Sequence, residues 1–168
     1  MVRGVHFALT AEQETQLRQR NSGQDCWDYI ASDVEKPWDE DYLAETDKAW
    51  DAIHRCLTGQ PASESELDAN AGAYPLNRCI MGEVDLCPDT NNYIIRLNSP
   101  ETVKDLAAAL EPIDDAWITK AYHRHCPGAW PEYGDEDCEY TCEWFAHLKA
   151  FYIRAAKAGR AVVFSVSQ

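Results

Sequence analysis

Alternating apolar residues mark both ends of the chain, and they constrain its fold more than any other feature. Two sets of three apolar residues recur with a period of two, namely Val5, Phe7 and Leu9 near the start and Val162, Phe164 and Val166 near the end. This period is typical of a strand with one buried face. Helical patterns fill the interior without a repeated strand-helix-strand order. The sequence therefore predicts a single α+β domain over residues 1–168, with both terminal strands in a small mixed sheet packed by several helices.

Three helices are predicted from their end signals. Thr10 and Gln13 have the spacing of a capping box, in which each side chain bonds a backbone N–H of the other. Ser99–Pro100 combines a capping hydroxyl with a proline at the first helical position. The last helix is predicted from about Asp137 to Ala158, because acidic residues lie at its start and basic residues near its end, as the helix dipole favours.

A fourth helix is predicted from an apolar stripe near the middle of the chain. The stripe has helical spacing and consists of Trp50, Ile53, His54 and Leu57. Asp47 is placed to cap this helix and Gly59 to end it.

Four other segments lack a helical stripe. Gly23–Glu45 contains a proline and scattered aromatic residues, which predicts short helical turns and loop. Gln60–Tyr74 is rich in small and polar residues and is expected to be a surface connection. Cys79–Val84 and Tyr93–Leu97 are short apolar segments, which we expect to be strands or extended edges.

The charge of the chain limits its partners. It has 29 acidic and 15 basic residues, for a formal net charge of −14. Nucleic acid is not expected as a partner, because a phosphate backbone is bound by clustered lysine and arginine. Two explanations for the negative charge remain open, namely solubility and recognition of a basic protein.

The chain is expected to be cytoplasmic. No apolar stretch approaches the roughly 20 residues needed to cross a bilayer, and the first residues do not resemble a secretory signal. Seven cysteines, an odd number in a domain of this size, are expected to be reduced thiols.

Several motifs, taken in order, resemble the YfbM-like family, a bacterial domain of unknown function. Asp47–Gly59 resembles the family's signature helix, and Ile80–Glu83 its short glycine-containing segment. Leu97–Val103 resembles a strand end and helix start, while Leu148–Tyr152 and Gly159–Val162 resemble the closing helix and strand. The resemblance implies a compact α+β domain and carries over no catalytic residues.

The segment Ala121–Glu143 departs from the family pattern and contains potential metal ligands. They are His123, His125, Cys126, Cys138 and Cys142. Thiolate and imidazole are ligands of zinc, and the two later cysteines share one helix face. Structural zinc sites use two close ligand pairs, however, and this spacing does not follow that pattern. The expectation is no cofactor, with zinc at this cluster as the alternative.

A catalytic role for His54 is the other enzymatic alternative. A histidine near carboxylates such as Asp47 and Asp51 has the residue types of a general base. His54 also lies in the apolar stripe, where a hydrogen-bonded core histidine is the competing interpretation. The chain has no phosphate-binding loop, dinucleotide glycine motif or nucleophile elbow.

Acidic residues interleaved with aromatic ones suggest a protein-binding surface. Ten acidic residues lie between Asp25 and Asp51, and six between Glu132 and Glu143. Aromatic side chains rimmed by charge are typical of protein interfaces, although an acidic solvent-facing surface with inward aromatics is the competing interpretation. The candidate binding residues are Trp27, Trp38, Asp39, Glu40, Asp41, Tyr42, Asp47, Trp50, His54, Asp135, Glu136 and Asp137.

The leading hypothesis from the sequence is a non-enzymatic protein-binding module that engages a basic partner, in the manner of an immunity or antitoxin protein. The alternative is a small enzyme or metal-binding domain that uses His54 or the His123–Cys142 cluster. The sequence predicts neither nucleic acid nor membrane as a partner, and it does not define the oligomeric state.

Overall fold

The computed structural model describes residues 3–61, 66–89, 92–126 and 134–167, with only the backbone of Ser167. Part of the predicted connection Gln60–Tyr74 and one residue of the second acidic run, Glu132, lie outside the described residues.

Helices and strands alternate irregularly along the chain. The α-helices of the described ranges are α1 (Ala11–Arg18), α2 (Gly23–Tyr29), α3 (Trp50–Thr58), α4 (Arg78–Met81), α5 (Pro100–Leu110), α6 (Asp115–His125) and α7 (Asp135–Lys157). A π-helical turn, Ile30–Val34, follows α2. The strands are β1 (Gly4–Leu9), β2 (Leu43–Asp47), β3 (Val84–Asp85), β4 (Tyr93–Asn98) and β5 (Ala161–Ser167).

The five strands form one sheet in the order β2-β1-β5-β4-β3, and every pairing is antiparallel. Both terminal strands lie in this sheet, as predicted. The prediction of a mixed sheet was wrong, because each neighbouring pair runs in opposite directions. β1 and β5 pair at the centre, with Phe7 opposite Val163. The molecule is therefore α+β, with the chain ends held together in the middle of the sheet.

Helices cover both faces of the sheet. On one face, α3 to α7 pack over Phe164 and Val166 and enclose the larger core. On the other face, α1, α2 and the π-helical turn pack over Val5, Phe7 and Val163. The sheet is thus the middle layer of three, and its central strands are shielded from solvent on both sides.

Two of the predicted helix starts and one predicted helix end are confirmed. Thr10 and Gln13 form a complete capping box at α1, and the Ser99 hydroxyl accepts a hydrogen bond from the Thr102 N–H at α5. Gly59 ends α3 in a left-handed conformation with φ of 73°. The long last helix is also confirmed, although it begins two residues before Asp137 and ends one residue before Ala158.

The prediction that Asp47 caps α3 was wrong. The helix begins after Ala49, which makes no side-chain capping bond. Asp47 is instead the last residue of β2, has a positive φ of 41°, and accepts a hydrogen bond from the Tyr140 hydroxyl at 2.6 Å. The Asp47 carboxylate therefore bonds a residue of α7, whereas the local sequence pattern predicted that it would cap α3.

Two of the loosely defined segments also differ from expectation. Cys79–Val84 was expected to be extended, but its first half belongs to α4. Gly23–Glu45 contains the predicted helical turns, but β2 begins inside it at Leu43. The described part of the chain contains no helix whose length and hydropathy would suffice to cross a membrane.

Candidate functional site

The first group of predicted binding residues forms an exposed turn before β2. Asp39, Glu40 and Asp41 are exposed there, and Trp38 is 38% exposed. The guanidinium of Arg3 lies 5.2 Å from the centre of the Trp38 ring. One face of this exposed aromatic residue is therefore already in a cation–π contact within the chain.

The other aromatic residues near this turn are also engaged internally. Tyr42 is partly buried, and the Arg160 guanidinium lies 3.4 Å from the centre of its ring. Trp27 is partly buried and stacks on Tyr93 with ring centres 4.7 Å apart. The carboxylates face solvent, whereas these aromatic rings mainly pack against the protein itself.

The second predicted group lies at the start of α7. Asp135 and Glu136 are exposed, while Asp137 accepts a hydrogen bond from the Tyr122 hydroxyl at 2.6 Å. Burial raises the pKa of the Asp137 carboxyl, although the Tyr122 bond opposes this effect. This group and the turn around Asp41 do not form one patch. The Arg154 guanidinium, near the end of α7, bonds the Asp41 carbonyl, and 17 residues of helix, about 25 Å, separate it from Asp137.

A groove between α6 and α7 brings part of the second group together with other predicted residues. Its volume is about 570 Å³. The lining residues are Asp115, Thr119 and His123 from α6, and Asp135, Cys138, Glu139, Cys142, Glu143 and Ala146 from α7. Four of these side chains are carboxylates, and none of the described lining residues is a lysine or arginine. We call this feature the acidic groove.

Two cysteines, Cys138 and Cys142, line the acidic groove. Cys138 is 4% exposed, and burial raises the pKa of its thiol to about 11. Cys142 is partly exposed, and its Sγ lies 3.6 Å from the Thr119 hydroxyl. Because a thiol with a raised pKa stays protonated near neutral pH, Cys138 adds no charge to the groove.

The five potential metal ligands are divided among different places. His123, Cys138 and Cys142 line the acidic groove, whereas His125 lines a separate cavity of about 410 Å³ on the other side of α6. Cys126 is buried, with its Sγ 4.0 Å from that of Cys56. Among the described residues, no three His, Cys, Asp or Glu side chains are grouped so that they could hold a metal ion.

His54 is enclosed in the core. Its side chain has no exposed surface, and its Nε2 lies 3.3 Å from the Asp68 carbonyl oxygen. Burial lowers the pKa of the imidazole. Asp47 contacts α7 instead, so these two residues do not converge. The arrangement is that of a neutral histidine packed inside the protein.

A further cavity contains arginines that the sequence analysis did not single out. It has a volume of about 700 Å³ and includes Trp50, Arg55 and Arg96 in its lining. The spacing of Asp51 and Arg55, four residues apart on one helix, was the available signal for an ion pair, which the structure contains. No local pattern marks Arg96, because its surroundings depend on the pairing of β3 with β4.

The combination of a five-stranded antiparallel sheet, helices on both faces and joined terminal strands defines a class of α+β proteins. The crystal structure of YfbM from Escherichia coli, a protein of unknown function, has a similar fold. The match has a TM-score of 0.67, covers 99% of each chain and has 20% sequence identity. At that identity the likeness shows the fold alone.

A family model identifies the chain more specifically. The model described as Domain of unknown function (DUF1877) matches residues 2–165. The chain therefore belongs to the DUF1877 family, in agreement with the YfbM-like motifs. No curated protein matches it.

Proposed function

We propose that this protein is a non-enzymatic binding module whose acidic groove receives lysine or arginine side chains of a basic partner protein. The supporting observation is the concentration of Asp115, Asp135, Glu139 and Glu143 around one groove between two helices. Hydrogen bonds between ammonium or guanidinium groups and carboxylates are stronger than neutral ones, and arginine can engage a carboxylate in two parallel bonds.

The groove also offers a surface for the aliphatic part of such a side chain. Ala146 and the neutral Cys138 lie beside the carboxylates. Lysine and arginine commonly pack their methylene groups on apolar surface while the charged end reaches a polar group. The groove therefore fits the two chemical parts of a long basic side chain.

The remaining negative charge has a different role in this proposal. The turn with Asp39, Glu40 and Asp41 lies near the other end of α7 and adds to the long-range field that attracts a basic partner. A strongly acidic inhibitor of a basic toxin would use charge in this way, and an immunity or antitoxin role is the setting that we propose.

Matched charge changes test whether the groove is the binding site. The probe is a fluorescein-labelled peptide of alternating arginine and alanine, and its Kd is measured by fluorescence anisotropy. Glu139→Gln with Glu143→Gln should raise the Kd by about 2- to 30-fold, the combined effect of two partly exposed ion pairs. The control, Asp39→Asn with Glu40→Gln, removes the same charge far from the groove and should have a smaller effect.

Thiol protection provides a second readout in the unmodified protein. Cys142 is the only partly exposed cysteine among seven, all of which lie in described ranges. The peptide should slow alkylation of Cys142 by iodoacetamide, as measured by mass spectrometry. Equal Kd changes in both double variants, together with unprotected Cys142, would show attraction by net charge without a groove site and would reject the proposal.

A further inference from the structure

A cavity lined by described residues of α3 and β4 suggests a second binding site, independent of the proposed function. Its volume of about 700 Å³ lies within the usual range of small-molecule sites, about 300–1,000 Å³. Residues of α3, α4, β3 and β4 line it, and it shares no described lining residue with the acidic groove. We call this feature the arginine cavity.

Arg96 is held in the arginine cavity with part of its guanidinium group unused. Its Nη2 lies 3.0 Å from Asp85, which in turn accepts a hydrogen bond from the Cys87 N–H at 2.9 Å. The backbone of Gly82 lies close to the Arg96 Cβ, since a Cβ atom added to Gly82 would be only 2.9 Å from it. The buried Nε of Arg96 has no hydrogen-bond partner among the described residues. The Arg96 side chain as a whole is 23% exposed, so its positive charge can also attract an anionic group in the cavity.

The α3 side of the cavity supplies charge of both signs. The Arg55 side chain is 6% exposed, and its Nε bonds the Asp51 carboxylate at 2.9 Å. The Pro61 carbonyl oxygen accepts a second bond from Arg55 at 2.6 Å. The Asp51 side chain remains 38% exposed, so its carboxylate can also receive a donor from a ligand. Glu66 adds a further carboxylate to the lining.

The cavity therefore differs from a simple anion site. Two guanidinium groups and three carboxylates line it, so a polyanion would meet repulsion as well as attraction. Trp50, Met81 and Ile94 provide apolar lining between these charged groups. A matching ligand has a carboxylate, an ammonium group and an apolar part.

We infer that the arginine cavity binds a short zwitterionic peptide of about two residues. The peptide carboxylate pairs with Arg96, its ammonium group pairs with Asp51 and Glu66, and an apolar side chain packs on Met81 and Ile94. A single amino acid would fill only a small part of a cavity of this volume.

End-capped peptides test this assignment in the unmodified protein. The probe is the dipeptide Ala-Leu, measured by isothermal titration calorimetry beside its N-acetyl form, which lacks the ammonium group, and its C-terminal amide, which lacks the carboxylate. Ala-Leu should bind, and each capped form should bind about tenfold or more weakly, because each loses one charged pair. Absence of Ala-Leu binding at millimolar concentration would overturn the inference, as would equal binding of either capped form.

Two variants, each with one arginine replaced, test where Ala-Leu binds. Arg96→Gln should weaken Ala-Leu binding by about 10- to 100-fold, because it removes a charge-assisted bond. The control is Arg124→Gln, which changes an exposed arginine outside the cavity lining. Thermal unfolding of each variant checks that it folds. Equal affinity in Arg96→Gln and the unmodified protein would place binding elsewhere and overturn the inference, whereas the capped-peptide comparison stands without any variant. Neither experiment involves the acidic groove. Failure of this inference and failure of the proposed function are therefore distinguishable.

Discussion

At the scale of single residues, His6 shows how the helical layer of α3 to α7 controls the protonation of a buried side chain. It lies in β1, an interior strand of the sheet, with no exposed surface, and its ring centre is 4.5 Å from that of Phe164. Its Nε2 lies 3.3 Å from the Cys79 carbonyl oxygen. Burial lowers the pKa of His6 from 6.5 to about 3, and the backbone contacts only partly oppose this. The folded protein therefore holds this imidazole neutral.

Acidification should reveal this buried histidine. The folded pKa lies below the unfolded one, so the stability that neutral His6 provides is complete above pH 6.5 and is lost as the pH falls toward 3. Between these limits the loss approaches about 1.4 kcal/mol per pH unit. His6→Gln removes this dependence and keeps a polar side chain. Urea unfolding at pH 7, 6 and 5 should therefore show a steeper loss in the unmodified protein. His54 is present in both proteins and contributes equally to both, so only His6 can make their losses differ. Equal losses in both proteins would therefore contradict the prediction.

The sequence predicted part of this environment. Val5, Phe7 and Leu9 were expected to face a core, and all three are buried. The alternation also implied that the residues between them face solvent, yet His6 and Ala8 are buried too. The period of two describes one face of the strand, whereas burial of the other face depends on α3 to α7, which come later in the chain.

At the scale of elements, the turn between α4 and β3 depends on one glycine. Gly82 has a φ of 54°, in the region that favours glycine. A Cβ atom at this position would lie 2.9 Å from the Arg96 Cβ and 3.1 Å from the Leu97 N. Both neighbours belong to β4, so the close approach of the turn to the strand requires a residue without a side chain.

Two glycine substitutions separate crowding from backbone strain. Gly159 also has a positive φ, of 65°, but nothing lies within 4 Å of a Cβ built there. Gly159→Ala should lower the free energy of unfolding by about 1–2 kcal/mol from strain alone. Gly82→Ala should cost more, about 3 kcal/mol or above, because β4 must also move. Chemical denaturation measures both values. Equal losses would show that the packing of Gly82 against β4 contributes nothing.

Local signals predicted elements well where the partner residues are close in sequence. Thr10 with Gln13, and Ser99 with Thr102, form caps within one helical turn. The prediction failed where a distant element competes for the same group, as at Asp47, whose carboxylate bonds Tyr140 on α7. Strand β2 was missed because its pairing partner β1 lies far away in the sequence.

At the scale of the whole molecule, the composition predicted the charge but not its distribution. The two acidic runs were expected to form one surface with the aromatic residues. Packing places Asp41 near one end of α7 and Asp137 near the other. The acidic groove arises because α6 lies beside α7, which adds Asp115 and His123 to Glu139 and Glu143. The family resemblance predicted the fold, but no local motif indicates which helices pack together.

The net charge of −14 should make the folded state sensitive to salt. Repulsion among an excess of carboxylates destabilises a compact chain, and raising NaCl from 10 to 150 mM shortens the screening length from about 30 to about 8 Å. The melting temperature should therefore rise by a few degrees over this range. Replacing Asp39, Glu40 and Asp41 with Asn, Gln and Asn removes three charges at exposed positions, so the rise should be smaller.

A melting temperature that falls with salt would show that attractive pairs such as Arg3–Glu45 dominate instead, because screening weakens attraction and repulsion alike. Circular dichroism at several salt concentrations distinguishes these outcomes, with an uncharged osmolyte as the control for non-ionic effects.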